Sequence, residues 1–467
     1  MGARAAQVDF LGAAGTVTGS RFLVTGQRGR VLVDCGLYQG LRDLRRRNWE
    51  PFPVDPQSID AVVVTHAHLD HSGYLPALVA RGYSGPIFTT PGTADLLPLV
   101  LRDSAHLQVE DAEHARKHGY SKHDPPLPLY MLDDVERALA LVRRIELGHA
   151  GDVAPGFAVE MRRAGHILGS ASVVLTVDDG PRILISGDLG RDSHPLLLPP
   201  EPPPAVDAVL VESTYGDRAH GSREDPAFMA AINRTVHRGG SVVIPAFAVD
   251  RTEVVLMELR RLRAAGRIPA VPIYVDSPMA LGALSVYRDA VRGHAPDVRP
   301  DLADDPNLFD PGDVHEARTV AESRALNQPA YPCIIVSASG MATGGRVLHH
   351  LAALLPDPRA CVVLAGYQAL GTRGRDLVDG ARAIKLHGGY VPVRAEVVDV
   401  PMFSVHADGD EILRWLGRCP AAPATCFVVH GEPRPADAVA RRIREELGWN
   451  AVVPRRGERV LVARAQQ

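Results

Sequence analysis

The stretch Thr65-His-Ala-His-Leu-Asp-His-Ser-Gly73 places three histidines and one aspartate within six positions. The apolar run Ala61-Val-Val-Val64 leads directly into it and predicts a buried strand that ends where the polar residues begin. Side chains two positions apart in an extended segment point the same way, so the first two histidines can hold one ion. The aspartate and the third histidine follow after the chain turns and can face a second ion. The stretch therefore predicts a metal site at a strand end.

Three further segments carry a histidine or an aspartate beside an apolar strand. They are Gly165-His-Ile-Leu-Gly-Ser170, Ile185-Ser-Gly-Asp-Leu-Gly190 and Phe427-Val-Val-His-Gly-Glu432. Each one alone is a weak signal, because strand-end aspartates and histidines are also common turn residues. Imidazole and carboxylate groups suit zinc and similar divalent ions. Together with the histidine cluster, the three segments complete a ligand set for two metal ions.

Length and composition limit the classes of protein to which the chain can belong. A chain of 467 residues is too long for one ordinary core, so we expect two domains. The formal net charge of −4 disfavours a strongly basic binding module, although not a nuclease. The five cysteines form no CxxC pair, which argues against a disulfide framework and a thiolate zinc site. We find no membrane span and no signal-peptide core, so a cytoplasmic location is expected.

The order of predicted elements indicates an inserted domain. Strand hairpins dominate the first part, and alternating strands and helices begin near Gly216, as is typical of a parallel sheet with crossover helices. Strands return beyond Ala395, starting with Val397 to Val400. We therefore predict a beta-rich layered domain from 1–215 and 395–467, with an α/β domain from 216–394 inserted into it.

The motifs HAHLDH, GHILGS, SGDLG and VHGE, in this order, resemble those of the metallo-beta-lactamase superfamily. Three longer segments are similar to the A, B and C motifs of its beta-CASP branch, which includes RNase J and the endonuclease of pre-mRNA 3′-end processing. They are Val211-Glu-Ser-Thr-Tyr-Gly-Asp217, Met402-Phe-Ser-Val-His-Ala-Asp408 and Val429-His-Gly-Glu432. The resemblance implies an α/β fold: an αββα metallo-beta-lactamase sandwich with an inserted α/β beta-CASP domain.

The resemblance also implies the ligands of two Zn²⁺ ions per chain, with Mn²⁺ as an alternative metal. One ion would be held by His66, His68 and His166, the other by Asp70, His71 and His430, and Asp188 would bridge them. Asp34 resembles the aspartate of the family's first motif and would orient a ligand. A turn-forming role for Asp34 remains equally open.

The implied activity is that of a metal-dependent hydrolase, a ribonuclease that cleaves RNA phosphodiester bonds with a metal-bridging hydroxide. His406 in the B motif would act as general acid, held by the Glu212 carboxylate. The predicted catalytic residues are therefore Asp70, Asp188, Glu212 and His406. The C motif has a histidine at position 430, as the RNA-cleaving members of the family do, so we expect an RNA substrate. The RNA is expected to lie in a cleft between the two domains. Whether cleavage is internal or 5′-exonucleolytic stays open.

A second segment, Val336-Ser-Ala-Ser-Gly-Met-Ala-Thr-Gly-Gly-Arg346, is a glycine- and hydroxyl-rich loop between a predicted strand and a helix. Backbone N–H groups, hydroxyls and a cation at such a place suit a substrate phosphate. The candidate phosphate-binding residues are Ser337, Ser339, Gly340, Thr343, Gly344, Gly345 and Arg346. The alternative is that the glycines serve only a tight turn.

Two other functions compete with the ribonuclease hypothesis. A hydrolase of small carbonyl substrates would use the same fold with an open pocket, and a non-catalytic RNA-binding scaffold would have lost ligands. All seven metal ligands and both residues of the acid pair are present, which disfavours the scaffold. The expected partner is an RNA substrate, and no contact with a membrane is expected. Such domains can also form a homodimer.

Overall fold

The computed structural model describes residues 5–118, 126–220 and 226–464. Within them the chain forms two compact units. The first unit comprises Met1–Gln39, Asp43–Ala219 and His406–Gln467, and the second comprises Gly40–Arg42 and His220–Val405. The beginning and the end of the chain thus build one unit, and the segment between them builds the other.

Before the insertion the strands are β1 (Ala5–Phe10), β2 (Phe22–Thr25), β3 (Arg30–Val33), β4 (Ala61–Val63), β5 (Ile87–Thr89), β6 (Val142–Arg144), β7 (Ala150–Ala154), β8 (Phe157–Arg163), β9 (Ala171–Val177), β10 (Arg182–Ile185) and β11 (Ala208–Val211). The helices of this part are α1 (Arg42–Arg46), α2 (Leu69–Ser72), α3 (Leu75–Ala80), α4 (Pro91–His118) and α5 (Leu132–Ala140).

In the middle part the helices are α6 (Pro226–His237), α7 (Arg251–Ala264), α8 (Pro278–Arg292), α9 (Val320–Ala325), α10 (Val347–Leu354) and α11 (Arg373–Val378). Its strands are β12 (Val242–Pro245), β13 (Ile273–Val275), β14 (Val314–Glu316), β15 (Ile334–Ser337), β16 (Cys361–Leu364), β17 (Ala383–Leu386), β18 (Gly389–Pro392) and β19 (Glu396–Asp399). The last part adds α12 (Gly409–Leu416), β20 (Thr425–Val428), α13 (Pro433–Arg442), β21 (Ala451–Val452) and β22 (Arg459–Ala463).

Two mixed sheets form the first unit. Among the described residues, one has the strand order β22-β1-β2-β3-β4-β5-β6 and the other β21-β20-β11-β10-β9-β8-β7. In each sheet the pairs on one side are antiparallel and those from β3 to β6, or from β10 to β21, are parallel. Apolar side chains of both sheets, such as Val33, Val63, Leu175, Ile185 and Leu210, pack in one core. Burying these side chains holds the two sheets face to face.

Helices cover the outer face of the second sheet. Side chains from α12 and α13, including Trp415 and Val439, pack on Leu184, Val209 and Val428 of β10, β11 and β20. Both sides of these strands are therefore buried, which accounts for their uniformly apolar sequences. None of the helices in the described ranges could cross a membrane, because none is both long enough and apolar enough.

The second unit has a six-stranded parallel sheet of order β14-β13-β15-β12-β16-β19, together with a β17–β18 hairpin. The predicted alternation of strands and helices is thus confirmed for this part. The strand Glu396–Asp399, which we expected in the returning part of the first domain, instead pairs in parallel with β16. The second compact unit accordingly extends past the predicted boundary at Arg394 to Val405.

Candidate active site

The predicted metal ligands lie in the first unit, at the ends of neighbouring strands. β4 leads into the segment His66–His71, which ends in the single turn of α2. Asp188, Glu212 and His430 follow β10, β11 and β20, three strands that pair in parallel. His166 precedes β9. Because parallel strands end at the same edge of a sheet, the fold brings these side chains together.

The first donor group consists of His66, His68, His166 and Asp188, whose ligand atoms all lie within 4.8 Å of one another. The distance from His66 Nε2 to His68 Nδ1 is 3.1 Å, and that from His166 Nε2 to His68 Nδ1 is 3.3 Å. Asp188 Oδ2 lies 3.5 Å from His66 Nε2 and 3.7 Å from His166 Nε2. Three imidazoles and one carboxylate thus converge on a single point.

The second donor group consists of Asp70, His71 and His430. The Nε2 atoms of the two histidines are 3.0 Å apart, and Asp70 Oδ2 lies 3.6 Å from His430 Nε2. The other carboxylate oxygen of Asp188, Oδ1, lies 3.2 Å from His71 Nε2. One Asp188 oxygen therefore faces each donor group, which is the arrangement expected of a bridging carboxylate.

The donor atoms of the first group fit a metal ion. Nitrogen atoms that ligate zinc at about 2.0–2.1 Å in tetrahedral geometry lie roughly 3.3 Å apart, and the measured separations are 3.1 and 3.3 Å. Burial lowers the pKa of His66 and His166 well below the usual value and that of His68 to about 4. Neutral imidazoles that face one another offer lone pairs to a shared cation.

The second group also favours positive charge. Burial alone lowers the pKa of His71, but the adjacent Asp188 and Asp34 carboxylates raise it well above the usual value. Asp34 is fully buried, and its Oδ2 lies 2.6 Å from His71 Nδ1. Thr65 donates to Asp34 Oδ1 through its N–H and its hydroxyl, both at 2.9 Å. Asp34 thus contacts the nitrogen of His71 that faces away from His430 and fixes the ring orientation.

Glu212 and His406 lie beside the two donor groups. Glu212 is fully buried, and its Oε1 accepts from Leu189 N at 2.8 Å and lies 3.2 Å from His406 Nδ1. His406 Nδ1 is also 3.9 Å from Asp188 Oδ2. Burial alone lowers the pKa of His406, but Glu212 and Asp188 raise it above the usual value. The geometry therefore favours a protonated histidine held by a buried carboxylate at the edge of the centre.

The glycine-rich loop lies in the second unit, and its polar groups differ in their surroundings. Arg346 Nη1 donates to Asp276 Oδ1 at 2.7 Å and to Ala317 O at 2.9 Å, and buried Ser337 donates to Asp276 O at 2.7 Å. The Ser339 and Thr343 hydroxyls lie 2.9 Å apart at the more exposed part of the loop. Two of the predicted phosphate ligands, Ser337 and Arg346, therefore anchor the loop to its own unit.

Among the loop glycines, Gly340 packs against Phe247, and a Cβ there would lie 2.5 Å from the ring. Gln368 Nε2 donates to Gly340 O at 3.1 Å. Gly345 has a φ of +75°, whereas nothing lies within 4 Å of a Cβ at Gly344. Close packing and turn geometry thus explain two of the three glycines without a ligand.

Some residues that support the centre were missed in the sequence. The Ser20 hydroxyl donates to Asp34 Oδ2 at 3.0 Å, and Thr214 Oγ1 lies 3.2 Å from His430 Nδ1. Single hydroxyl residues at these positions form no pattern, so only the fold reveals them. The glycine of the Ser-Gly-Asp-Leu-Gly190 segment could have been recognised as a point of close approach between loops. A Cβ at Gly190 would lie 1.8 Å from the carbonyl oxygen of Gly165. Glycine at 190 lets the His166 and Asp188 loops approach each other.

The fold and the donor set together define a metal-dependent hydrolase. Three family models match the chain: the metallo-beta-lactamase superfamily over residues 14–88, the Beta-Casp domain over 252–377, and the Zn-dependent metallo-hydrolase RNA specificity domain over 390–454. A solved protein of unknown function from Enterococcus faecalis V583 shares the fold, with a TM-score of 0.52 and 14% identity over 98% of this chain and all of that one.

Curated relatives match over most of their lengths. Ribonuclease TTHA0252 of Thermus thermophilus is 39% identical over 90% of this chain and 92% of its own. An RNase J-like protein of Methanocaldococcus jannaschii is 32% identical over 93% and 94%. Transcription termination factor FttA of Methanosarcina mazei is 33% identical over 94% of this chain and 69% of its own.

This chain belongs to the metallo-beta-lactamase superfamily and, within it, to the beta-CASP ribonuclease branch. The predicted family, fold class and enzyme class are thereby confirmed. The use of a metal is supported by the Zn-dependent family model and by the donor groups.

Proposed function

We propose that the chain is a ribonuclease that hydrolyses RNA phosphodiester bonds. The observation that carries the proposal is Asp188, which presents one carboxylate oxygen to each donor group beside the Glu212–His406 pair. The RNA specificity domain spans both His406 and His430. The names of the relatives, ribonuclease and RNase J-like protein, point to the same substrate class.

We infer that the centre holds two zinc ions, with Mn²⁺ as an alternative. The ligands of one ion would be His66, His68 and His166, those of the other Asp70, His71 and His430, and Asp188 would bridge the two. When bound, the ions supply a nucleophile from water and neutralise charge on the phosphate oxygens. The imidazoles of His66, His68 and His166, whose pKa values are lowered by burial, suit this role, because a protonated ring cannot ligate.

The residues of the chain supply the proton for the leaving oxygen. Glu212 contacts Nδ1 of His406, which fixes the ring and leaves Nε2 as the nitrogen that can donate to substrate. Glu212 keeps its own position through hydrogen bonds from Leu189 N at 2.8 Å and Thr214 N at 3.1 Å. His406 therefore acts as general acid and Glu212 orients it.

The glycine-rich loop is proposed to contact a substrate phosphate through its exposed part. Ser339, Thr343 and the backbone around Gly344 are the groups available for this contact. Ser337 and Arg346, which contact Asp276, hold this part of the loop in place.

The function is tested with RNA labelled at its 5′ end, bearing either a 5′-phosphate or a 5′-triphosphate. Wild-type protein with zinc or manganese should cleave it, and Asp188→Ala should not. Release of mononucleotides would identify a 5′-exonuclease, and internal fragments an endonuclease. Hydrolysis of a cephalosporin or a thioester with none of RNA would establish the small-molecule hydrolase, and equal behaviour of wild type and Asp188→Ala would favour the scaffold.

Assembly and location complete the proposal. The sequence leaves the oligomeric state open and permits a homodimer, because exposed helices of such domains often pair, and it predicts a cytoplasmic location. Light scattering of the purified protein tests the first, and cell fractionation tests the second.

A further inference from the structure

A group of arginines in the first unit surrounds one buried aromatic ring. The guanidinium carbons of Arg21, Arg47 and Arg456 lie 5.2, 5.5 and 5.9 Å from the centre of the Tyr38 ring. Glu50 pairs with Arg456 at 2.7 Å and offsets one of these charges. Three guanidinium groups thus lie within the distance of a cation–π interaction with one ring.

The chain next to this ring presents further cations to solvent. Asn48 clamps the segment by accepting from Tyr38 N at 2.9 Å and donating to Tyr38 O at 2.8 Å. Its neighbours Arg45 and Arg46 are exposed, with Arg46 3.1 Å from the exposed Asp43, and Trp49 is 41% exposed. We call the surface formed by Arg45, Arg46, Arg47, Trp49 and Arg456 the arginine patch. The patch combines exposed charged side chains with the fixed aromatic ring of Tyr38 beneath them.

The arginine patch is connected to the metal centre through one loop. The backbone N–H of His430 donates to Ala13 O at 2.7 Å. A few residues along the same loop, Thr18 Oγ1 accepts from Gln39 N at 3.2 Å, next to Tyr38. Asp34, which holds His71, lies four positions before Tyr38 in the chain. The loop thus contacts both the proposed ligand His430 and the segment that carries Tyr38.

We propose that the arginine patch binds the sugar-phosphate backbone of single-stranded RNA outside the metal centre, with Trp49 as a stacking surface for one base. The proposal rests on the ribonuclease function proposed above. Guanidinium groups recognise phosphate oxygens in pairs, and stacking on aromatic rings is tolerant of base sequence. An exposed aromatic among arginines fits a strand with alternating phosphates and bases better than a lipid surface or an acidic protein.

The test replaces Arg45 and Arg46 by glutamate. The matched control is Arg441→Glu with Arg444→Glu. Both control arginines are exposed; Arg441 lies in the last turn of α13, which packs on the other sheet, and Arg444 follows the end of this helix. RNA binding is measured by fluorescence anisotropy with a labelled single-stranded oligonucleotide over a series of salt concentrations. All proteins carry Asp188→Ala, so that the RNA stays intact.

The patch variant should bind RNA about tenfold more weakly, and the slope of log Kd against log salt should fall by roughly one to two. The control pair should match the parent protein. Trp49→Ala should weaken binding about fivefold without changing the slope, because it removes stacking and no charge. Arg45→Gln with Arg46→Gln serves as a milder change if the glutamate variant unfolds.

Equal RNA affinity of patch and control variants would overturn the proposal. So would binding of phosphatidylserine vesicles that the patch variant loses while its RNA binding persists. With Asp188 restored, the patch variant should hydrolyse bis(p-nitrophenyl) phosphate at the wild-type rate, since that substrate is too small to reach the patch. If the wild-type protein binds RNA through the patch but does not cleave it, the proposed ribonuclease function is wrong and the proposed RNA-binding role of the patch is supported.

Discussion

The metal centre of the first unit and the glycine-rich loop of the second both gather polar side chains at the ends of parallel strands. In the centre, groups of the same kind face one another: His66 and His68 nitrogens are 3.1 Å apart, and burial lowers the pKa of both rings. In the loop, groups of opposite kind pair, as Arg346 does with Asp276 at 2.7 Å. Imidazoles and carboxylates that converge on one point indicate a site for a cation, whereas pairs of opposite charge indicate a scaffold.

The largest effect is expected at Asp188, the residue that both donor groups share. Asp188→Ala removes the carboxylate between them and should lower the rate of RNA cleavage by at least about 10³-fold. The metal content of the purified variant, measured by mass spectrometry, should fall as well. A variant that keeps full activity and its metal would show that the groups do not form one centre.

The next effect separates proton donation from metal binding. His406→Ala should lower RNA cleavage by about 10²–10⁴-fold, because it removes the general acid. It should leave hydrolysis of bis(p-nitrophenyl) phosphate nearly unchanged, because nitrophenolate leaves without a proton. Glu212→Gln should show the same selectivity to a smaller degree. Equal losses on both substrates would assign His406 a structural or ligand role.

A smaller effect tests the support of the second donor group. Asp34→Asn weakens the hold on His71 Nδ1, which lies 2.6 Å from the carboxylate. Loss of such a partner should weaken metal affinity by about 10–100-fold. Titration with zinc after chelator treatment should show one weakened binding step and one that is unchanged. If both steps weaken alike, Asp34 supports the fold and not the second group in particular.

The smallest effect on activity, but a clear one on stability, is expected at the loop. Burial raises the pKa of Asp276, but hydrogen bonds from His350, Ser323 and Arg346 lower it below the usual value. Its stabilising contribution is therefore present above the unfolded pKa of about 3.9 and is lost as pH falls through the lower folded pKa. Asp276→Asn should reduce the free energy of unfolding by about 3 kcal/mol at neutral pH.

Urea denaturation at neutral pH and at pH values below the unfolded pKa of Asp276 checks this prediction. The difference between wild type and Asp276→Asn should shrink at the acidic end. Asp301→Asn, at an exposed residue of the same unit, is the matched control and should have little effect. A difference that grows towards acid pH would show that Asp276 is not held as a carboxylate.

The sequence was sufficient to predict that the candidate ligands lie close together, because each follows or precedes a strand and strand ends meet at a sheet edge. It could not reveal Asp276, which lies far from Arg346 in the chain and takes the guanidinium that we assigned to a phosphate. The strand Glu396–Asp399 was misplaced for a related reason. The sequence of a short strand does not indicate which sheet the strand joins. The pairing of Glu396–Asp399 with β16 depends on the tertiary structure.

The central claim is that Asp188 joins two donor groups into one dinuclear centre. Anomalous X-ray diffraction at the zinc edge, from crystals grown with zinc, tests it most directly. Two peaks should appear roughly 3.5–4 Å apart, one among His66, His68 and His166, the other among Asp70, His71 and His430, with Asp188 between them. A single peak, or two peaks that Asp188 does not contact, would contradict the account.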